Sequence, residues 1–323
     1  MALSDYVHTL GQDLLRRYGQ RVHKLAIDAK FTCPNRDGAK GRGGCTFCNN
    51  ASFSPNEAKP APVAEQLAAG RAVLAKRTGA RRFLAYFQAY TGTYADPARL
   101  EALWAEALAE PDVVGIAVGT RPDCCPPTVL DRLARIRDAG HEVWLELGLQ
   151  SSFDETLARV NRGHGYAEYR EAVRAARERK LPVCTHLIVG LPGEGPVHAR
   201  ITLDRVLADG VEGLKLHPLH VVQGTVLGEG YLRGEYRPWT LAEYVETAAD
   251  LIVRTPAPVV FHRVTGTSPA ELLLAPAWCA GKWAVLNGIE RELARRGVGQ
   301  GGKPIPAKTV ALPLRGPKIA AGR

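Results

Sequence analysis

The sequence predicts an α/β fold in which helices cover a parallel β-sheet. Between residue 25 and about residue 255, a short apolar run followed by an amphipathic stretch recurs six times. This alternation is typical of parallel strands joined by outer helices. Each unit also carries glycines or polar side chains where its strand ends, which is where functional residues of such folds gather. Six units either close as an open barrel or wind doubly, and the strand pattern alone does not choose between them.

The individual elements follow from the period of the apolar residues. Leu3, Tyr6, Leu10, Leu14 and Tyr18 recur at helical spacing and predict an amphipathic N-terminal helix over 3–18. The same reasoning predicts strand 25–31, helix 62–77, strand 83–90, helix 97–109, strand 113–119, helix 128–139, strand 141–149, helices near 153–160 and 167–180, strand 183–190, helix 197–208 and strand 211–219. A seventh strand-like run at 257–264 and a last helix at about 281–296 follow.

Composition limits the class of protein. Hydrophobic residues make up 46% of the 323 residues and charged residues 23%, which is ordinary for a soluble globular chain. No window approaches the run of about 20 apolar residues that a membrane span needs, and the N-terminus lacks the features of a signal peptide. We therefore expect a cytoplasmic protein whose seven cysteines are metal ligands or free thiols rather than disulfides.

The charge of the chain bears on its partners. The net charge is +9, which favours a polyanionic partner such as nucleic acid. The alternative is a surplus of arginine on ordinary helix faces that serves solubility.

Three of the cysteines lie in one loop, residues 31–49, directly after the first predicted strand. Glycines and charged residues separate Cys33 from Cys45 and Cys48, which favours a loop over a helix or strand. Thiolates gathered in a loop indicate a metal site. A structural zinc site takes four ligands and a standard iron–sulfur cluster takes four cysteines. A cluster held by three cysteines keeps one iron free for a substrate or cofactor.

The loop resembles the cluster loop of radical SAM enzymes, in which three cysteines hold a [4Fe–4S] cluster and the fourth iron binds S-adenosylmethionine (SAM). The usual spacing is C-x3-C-x2-C, whereas this chain has C-x11-C-x2-C. A lengthened first gap is typical of the branch that resembles the Elongator catalytic subunit, and of YhcC/YtqA-like proteins in particular. The resemblance implies a partial (β/α)6 barrel of the TIM type with an N-terminal helix and a short C-terminal extension. It also implies metal ligands Cys33, Cys45 and Cys48, and reductive cleavage of SAM to a 5′-deoxyadenosyl radical.

Motifs at successive strand ends extend the resemblance to residues 1–265. Gln88 and Tyr90 stand where relatives often have glycines that meet the SAM amino group. The segment ELGLQS implies that Glu146, Gln150 and Ser151 lie against the SAM ribose and methionine. Alternation puts Glu146 and Gln150 on one face of the strand, and a buried carboxylate is costly unless it is paired. Glu146 is therefore a functional hint in its own right.

Two more motifs complete the expected SAM site. Arg162 in NRGH is expected to pair with the SAM carboxylate, as guanidinium geometry allows. The segment HLIVGLPGE implies that His186, Gly190 and Leu191 line the adenine, and Phe47 is expected to shield the cluster and contact the same ring. The alternatives are rim packing for the tyrosines at 86, 90 and 94 and a helix-end surface charge for Arg162.

The segment GTRPDCC follows the third strand. Arg121 and Asp123 there are candidates for substrate contact, and Cys124 is a candidate hydrogen-atom donor or attachment point. The alternative for Cys124 is a small core residue, which is the commoner role of a lone cysteine. The histidines at 217, 220 and 262 are proton donors or substrate ligands on one view and structural residues on the other.

We expect residues 1–265 to form the radical SAM core and residues 266–323 a C-terminal extension, a helix followed by a mobile basic tail. The resemblance and the basic charge favour modification of RNA, most specifically of a tRNA wobble uridine. A flavodoxin or ferredoxin would supply electrons, and a partner enzyme any further modification. Two alternatives are a small-molecule oxidase or decarboxylase resembling oxygen-independent coproporphyrinogen oxidase, and a non-catalytic zinc-stabilised RNA-binding module with His23 as a fourth ligand.

Overall fold

The computed structural model describes residues 2–52 and 61–304. The strands are β1 (Val22–Ile27), β2 (Arg82–Phe87), β3 (Val113–Thr120), β4 (Glu142–Gln150), β5 (Val183–Val189), β6 (Gly213–Pro218), β7 (Val221–Val222), β8 (Val260–Arg263) and β9 (Leu273–Ala275). The helices are α1 (Leu10–Tyr18), α2 (Val63–Thr78), α3 (Pro97–Leu108), α4 (Pro127–Asp138), α5 (Asp154–Arg159), α6 (Tyr166–Glu178), α7 (Pro196–Asp209), α8 (Val226–Leu232), α9 (Leu241–Arg254) and α10 (Lys282–Arg296).

Seven strands form one parallel sheet in the order β1-β2-β3-β4-β5-β6-β8. Helices connect consecutive strands, so the predicted α/β class is confirmed. The seventh predicted strand joins the sheet beside the sixth, with Gly213 opposite Val260. The short strands β7 and β9 form a separate antiparallel pair, which the sequence patterns did not predict.

The sheet curls until its first and last strands meet across the interior. Lys24 Nζ of β1 lies 3.0 Å from His262 Nδ1 of β8. Both side chains also bond the Glu146 carboxylate of β4. In a flat sheet, strands six positions apart would be separated by about 29 Å at the usual spacing of about 4.8 Å. The sheet is therefore a partial barrel, as the resemblance implies.

The N-terminal segment lies along β8 at the open edge of the sheet. The Phe261 amide donates to the His8 carbonyl at 2.8 Å. Thr9 then caps α1, and its hydroxyl accepts from the Gln12 amide at 3.4 Å. The predicted continuous helix over 3–18 is wrong in its first half. Residues 6–7 form a turn after the short 3-10 helix Leu3–Asp5. The free donors of the strand edge and the Thr-x-x-Gln cap then hold His8 and Thr9 outside the helix and start α1 at Leu10.

Helix α3 shows how local sequence fixes the outer layer. Asp96 accepts hydrogen bonds from the amides of Ala98 and Arg99, and Pro97 occupies the first helical position, where a missing N–H is harmless. Its apolar stripe, predicted from the sequence, packs against the sheet: Leu100, Trp104 and Ala107 are fully buried.

Other element boundaries differ from the predicted ones because of local hydrogen bonds and glycines. Strand β1 ends at Ile27 rather than residue 31, because Gln66 accepts from the Asp28 amide at 2.8 Å and Asp28 accepts from the Lys30 amide at 2.8 Å. Helices α8 and α9 were not predicted as separate elements. Two glycines inside α8 hide its helical pattern.

The C-terminal extension packs against the barrel. Helix α10 buries Val285, Ile289 and Leu293. Beyond it, the Gln300 side chain is buried and donates to the carbonyls of Pro256 and Val259 at 2.9 and 2.7 Å. Residues 297–304 are therefore held to the barrel. The rest of the basic tail, residues 305–323, lies outside the described residues, and the domain boundary at residue 265 remains a proposal.

Candidate active site

The eleven residues between Cys33 and Cys45 form a closed excursion. The Gly44 amide donates to the Asn35 carbonyl at 2.8 Å, so residues 36–43 loop out and return. Within the excursion, the amides of Lys40 and Gly41 bond the Pro34 carbonyl at 2.8 and 3.1 Å. The excursion accounts for eight of the eleven residues between Cys33 and Cys45. The other three, Pro34, Asn35 and Gly44, connect the two cysteines as in a C-x3-C motif.

Two polar side chains point at the sulfur of Cys45. Arg162 Nη1 lies 3.5 Å from Cys45 Sγ, and Asn35 Nδ2 lies 3.9 Å from it. The Cys48 amide bonds the Cys45 carbonyl at 3.0 Å and turns the second and third thiols toward the same space. Burial, together with the nearby Cys45, raises the pKa of Cys48 to about 11. Metal ions displace such protons, and donors to sulfur are the usual surroundings of an iron–sulfur cluster.

The three loop sulfurs do not all lie within 4.8 Å of one another. A tetrahedral zinc with bonds of about 2.3 Å holds its sulfurs about 3.8 Å apart. Among the described residues, one set of three potential ligands lies within 4.8 Å, and it is Glu146, Cys184 and His186 rather than the loop cysteines. His23, the proposed fourth zinc ligand, sits near the start of β1, about 13 Å from its loop end at the usual rise per residue. The loop cysteines therefore lack a nearby His23 as a fourth zinc ligand.

The three cysteines open into a cavity at the carboxyl ends of the strands. Nine of the predicted site residues line it: Cys33, Cys45, Phe47, Cys48, Gln88, Tyr90, Gln150, Arg162 and His186. Among the described residues its wall carries five cationic side chains and no carboxylate, the cations being Arg36, Arg121, Arg162, Lys215 and Arg263. The site is thus built for ligands that bring negative charge.

Arg162 is placed to bind a ligand as well as the loop. Its Nη2 donates to the Gly148 carbonyl at 2.6 Å, while Nε is buried with no partner among the described residues. The preceding Asn161 donates to the Gly44 carbonyl at 2.7 Å and ties this loop to the cysteines. A buried donor without a partner is costly, so the free Nε fits a carboxylate ligand such as that of SAM.

Two lining residues have left-handed backbones. Tyr90 has φ +55° and Gln150 has φ +81°, which is uncommon for residues other than glycine. The pairing of β4 with β5 shifts between Gly148 and Gln150, and this bulge directs the Gln150 side chain into the cavity. The Tyr90 ring lies 5.8 Å from the guanidinium of Arg36, which in turn donates to the Cys48 carbonyl at 2.6 Å.

Arg121 and Asp123 connect two loops. Asp123 accepts two hydrogen bonds from Arg121, at 2.9 and 3.0 Å, and pairs with Lys40 of the cysteine loop at 2.7 Å. Arg121 also donates to the Arg162 carbonyl at 2.8 Å. Burial opposes ionisation of Asp123, but the bonds from Arg121 and Lys40 outweigh it and lower its pKa to about 2. Arg121 and Asp123, which the sequence suggested as substrate contacts, therefore hold the cysteine loop against the barrel.

Cys124 does not reach the cavity wall. It is buried, and burial together with Asp123 raises the pKa of its thiol to about 12. The Thr93 hydroxyl donates to its carbonyl at 2.5 Å. The candidate catalytic thiol therefore lies buried in the short helix Pro122–Cys124, outside the cavity wall.

Glu146 lies below the cavity rather than in its wall. It is fully buried and bonds four groups: Lys24, Lys215 at 2.5 Å, His186 at 2.9 Å and His262 at 3.1 Å. Burial opposes its ionisation, but the two lysines hold its pKa well below the usual value. The pairing that a buried carboxylate requires is present, and it places Glu146 in the floor of the barrel, outside the cavity wall.

Three more predicted cofactor residues lie outside the wall. Ser151 is buried and donates to Glu194. Gly190 is covered, since the Tyr236 hydroxyl donates to its carbonyl at 2.6 Å and a Cβ there would lie 3.3 Å from the Trp239 ring. Leu191 packs in an apolar cluster. The apolar part of the wall instead includes Phe47, Ile188, Leu219 and Val222. Ile188 faces the cavity because side chains alternate between the two faces along β5.

Several lining residues were not selected from the sequence. They include Arg36, Tyr86, Lys215 and Arg263, together with His217 and His220, whose roles were left open. A signal existed for Lys215, which interrupts an otherwise apolar buried strand. Burial and the positive charge of Lys24 lower the pKa of Lys215 to about 8, although the nearby Glu146 carboxylate favours the charged form. Arg263 ends the last strand of the sheet, and nothing in its local sequence marks it.

Comparison with known proteins defines the family. Residues 37–206 match the Radical SAM superfamily, and residues 211–295 match the Radical_SAM C-terminal domain. The chain belongs to the radical SAM superfamily and is an enzyme of that class. Members of this superfamily normally bind a [4Fe–4S] cluster and SAM.

The relatives narrow the position within the superfamily. The chain is 48% identical to protein YhcC of Escherichia coli K12 over 298 residues, which cover 92% of this chain and 96% of YhcC. It is 33% identical to a tRNA uridine(34) acetyltransferase of Dehalococcoides mccartyi over 166 residues, 50% of this chain and 35% of that relative. Its fold is similar to that of Methanocaldococcus infernus Elp3, with a TM-score of 0.64 at 19% identity, covering 86% of this chain and 64% of that one.

Proposed function

We propose that Cys33, Cys45 and Cys48 hold a [4Fe–4S] cluster whose open iron binds SAM. The observation that carries the proposal is the shared cavity of three thiols and Arg162, whose Nη1 donates to Cys45 and whose Nε is left without a partner among the described residues. Once bound, cluster and SAM would supply the one-electron cleavage that yields a 5′-deoxyadenosyl radical. The protein's part is to bind, orient and exclude water.

The described side chains divide this work. The guanidinium of Arg162 would take the SAM carboxylate, since a planar fork suits that group. Phe47, Ile188 and Leu219 offer apolar contact for the adenine. Gln88, Tyr90 and Gln150 offer polar groups at the strand ends between them. The buried floor around Glu146 keeps solvent from entering the barrel from below.

The test is anaerobic reconstitution with iron and sulfide. About four irons per chain, a brown protein, and 5′-deoxyadenosine after adding SAM and dithionite are expected. The variant Cys45→Ala/Cys48→Ala should lose all three properties. Cys125→Ala, which alters a thiol outside the cavity wall, is the matched control and should keep them. One bound zinc and no SAM cleavage in the wild type would overturn the proposal.

We further propose that the substrate is a nucleoside in RNA, most specifically a tRNA wobble uridine. The likeness to a tRNA uridine(34) acetyltransferase and the net charge of +9 support this substrate class. Binding to tRNA should then weaken steeply with salt, and nucleoside mass spectrometry after turnover should show a changed uridine. Salt-insensitive binding of a small organic acid instead would favour a reaction resembling that of coproporphyrinogen oxidase.

The proposed chemistry needs a reductant and a reducing environment. All seven cysteines are free thiols, which suits the cytoplasm, where disulfides are rare. A flavodoxin or ferredoxin is the proposed electron donor, and a separate enzyme would carry out any further modification of the nucleoside. No helix within the described residues is long and apolar enough to cross a membrane.

A further inference from the structure

One cationic side chain of the cavity wall has no hydrogen-bond or ion-pair partner among the described residues. Four of the five lining cations have partners among the described residues: Arg36 with the Cys48 carbonyl, Arg121 with Asp123, Arg162 with Cys45 and Gly148, and Lys215 with Glu146. Arg263 is the exception, since its backbone pairs with Lys215 in the sheet but no described residue hydrogen-bonds or forms an ion pair with its side chain. It is exposed at the end of β8, the last strand of the sheet.

Two imidazoles lie beside Arg263 in the same wall. A Cβ on Gly266 would lie 3.0 Å from His217 Nδ1 and 3.3 Å from His220 Cε1, so both rings pack against this backbone. His220 Nε2 is buried without a hydrogen-bond partner in the described part of the chain. Burial and the charge of Arg263 lower the pKa of His217 well below its usual value, and burial lowers that of His220 to about 4. Both rings are therefore neutral imidazoles with one N–H each. The Gly266 backbone already bonds the His220 ring, so His217 is the ring that can donate toward the cavity.

Neither the barrel floor nor the proposed cofactors would offset Arg263. Glu146 is the one carboxylate that contacts the described floor, and two lysines already share it. The positive groups of SAM and the negative charge of a thiolate-held cluster largely cancel each other. A cation, an orphaned imidazole nitrogen and a second neutral imidazole therefore face the cavity without an anion.

We propose that Arg263, with His217 beside it, binds an oxyanion of the substrate on the side of the cavity lined by β6 and β8. The inference rests on the proposed function, because it assigns a substrate class to the same cavity. The shared chemistry is a phosphate or a carboxylate, both of which a guanidinium binds through paired N–H groups. For an RNA substrate the oxyanion is a phosphate of the target nucleotide.

The experiment measures ligand binding rather than turnover. Titration calorimetry at fixed ionic strength would compare inorganic phosphate, uridine 5′-monophosphate, uridine and succinate, using the full chain as isolated and after reconstitution. Uridine 5′-monophosphate should bind at least about tenfold more tightly than uridine, because a hydrogen bond to a charged group is worth about 1.5–3 kcal/mol. Succinate binding that exceeds phosphate binding would assign the carboxylate as the natural oxyanion.

Variants locate the binding to this wall. Arg263→Gln should lose about tenfold or more in affinity for the preferred anion, and Arg263→Lys should recover part of it. His217→Asn should weaken binding more modestly. The control is Arg174→Gln, which alters an arginine on the outer face of α6 with 63% of its side chain exposed. Arg263 is exposed, so its variants should keep the thermal unfolding temperature of the wild type.

The outcomes separate this inference from the proposed function. Unchanged anion affinity in Arg263→Gln, or equal binding of uridine and its monophosphate, would overturn the oxyanion site while leaving iron content and SAM cleavage intact. Absence of iron and SAM cleavage would overturn the proposed function, yet the anion titration of the chain as isolated would still report on Arg263.

Discussion

Lys40, in the excursion between the first two cysteines, pairs with Asp123 at the end of β3, with 2.7 Å between Nζ and Oδ2. The two residues are 83 positions apart in the sequence. Because Arg121 holds the same carboxylate and the Arg162 carbonyl, this pair joins the cysteine loop, the third strand end and the Arg162 loop. The position of the thiols therefore depends on a carboxylate that touches none of them.

Asp123→Asn tests that dependence. Loss of the charge should loosen the cysteine loop, so iron per chain after a fixed chelator challenge should fall at least about twofold relative to the wild type. Glu171→Gln, which removes an exposed carboxylate on α6, is the control and should retain iron normally. Equal iron retention in Asp123→Asn and the wild type would contradict the positioning role.

The same carboxylate predicts a pH dependence of stability. Its pKa is about 2 in the folded chain against an ordinary value of 3.8, so the folded state favours the ionised form. The contribution, about 2 kcal/mol, is complete above about pH 4 and is lost as the pH falls toward 2. Urea unfolding should therefore show a difference between wild type and Asp123→Asn that is largest near pH 6 and shrinks at pH 3. A difference that stays constant with pH would count against the ion pair.

The floor of the barrel should contribute to stability. Glu146→Gln removes the charge that Lys24 and Lys215 share and leaves two ammonium groups facing each other in a buried site. Breaking a buried pair costs about 3–5 kcal/mol, whereas an exposed pair is worth about 0–1 kcal/mol. Denaturant titration should show this loss for Glu146→Gln and almost none for Glu171→Gln. A change below about 1 kcal/mol at Glu146 would show that the network is not a stabilising element.

Gly148 should govern SAM binding through Arg162. A Cβ at this position would lie 2.7 Å from Arg162 Nη2 and 2.9 Å from Gln150 Nε2. Gly148→Ala should push both side chains from their positions and weaken SAM binding about tenfold or more, with iron content unchanged. Gly195→Ala is the matched control, because no atom lies within 4 Å of its added Cβ. Equilibrium dialysis with the reconstituted enzyme would measure both, and wild-type affinity in Gly148→Ala would argue against this arrangement.

Cys124 provides a prediction of no effect. Because its thiol is buried and protonated behind the cysteine loop, Cys124→Ala should keep iron content and 5′-deoxyadenosine formation within about twofold of the wild type. Cys48→Ala should lose both. If Cys124→Ala forms 5′-deoxyadenosine normally but gives no substrate product, the thiol takes part in a later step, and the buried position is not the functional one.

The sequence reached the fold through its periodicities. The alternation of short apolar runs with amphipathic helices correctly predicted the parallel sheet. A strand that buries one face has an apolar side chain at every second residue, and a helix that buries one face has one at every third or fourth residue. The predicted secondary structure was wrong or incomplete where a segment pairs with a partner that is distant in the sequence. Thr9 pairs with β8, about 250 positions away, because that strand offers an open edge, and the strand pair β7–β9 joins segments about 50 residues apart.

By itself the sequence determined the class of fold, the three thiols and some of the strand-end residues that line the cavity, because local pattern and spacing encode them. The tertiary structure decided which side of each strand end faces the cavity, and so moved Glu146, Ser151, Gly190, Leu191 and Cys124 out of its wall. It also brought Lys215 and Arg263 into the wall and closed the excursion that aligns Cys33 with Cys45. The physical reason is that curling of the sheet and long-range ion pairs depend on contacts between residues far apart in the chain, which no local pattern records.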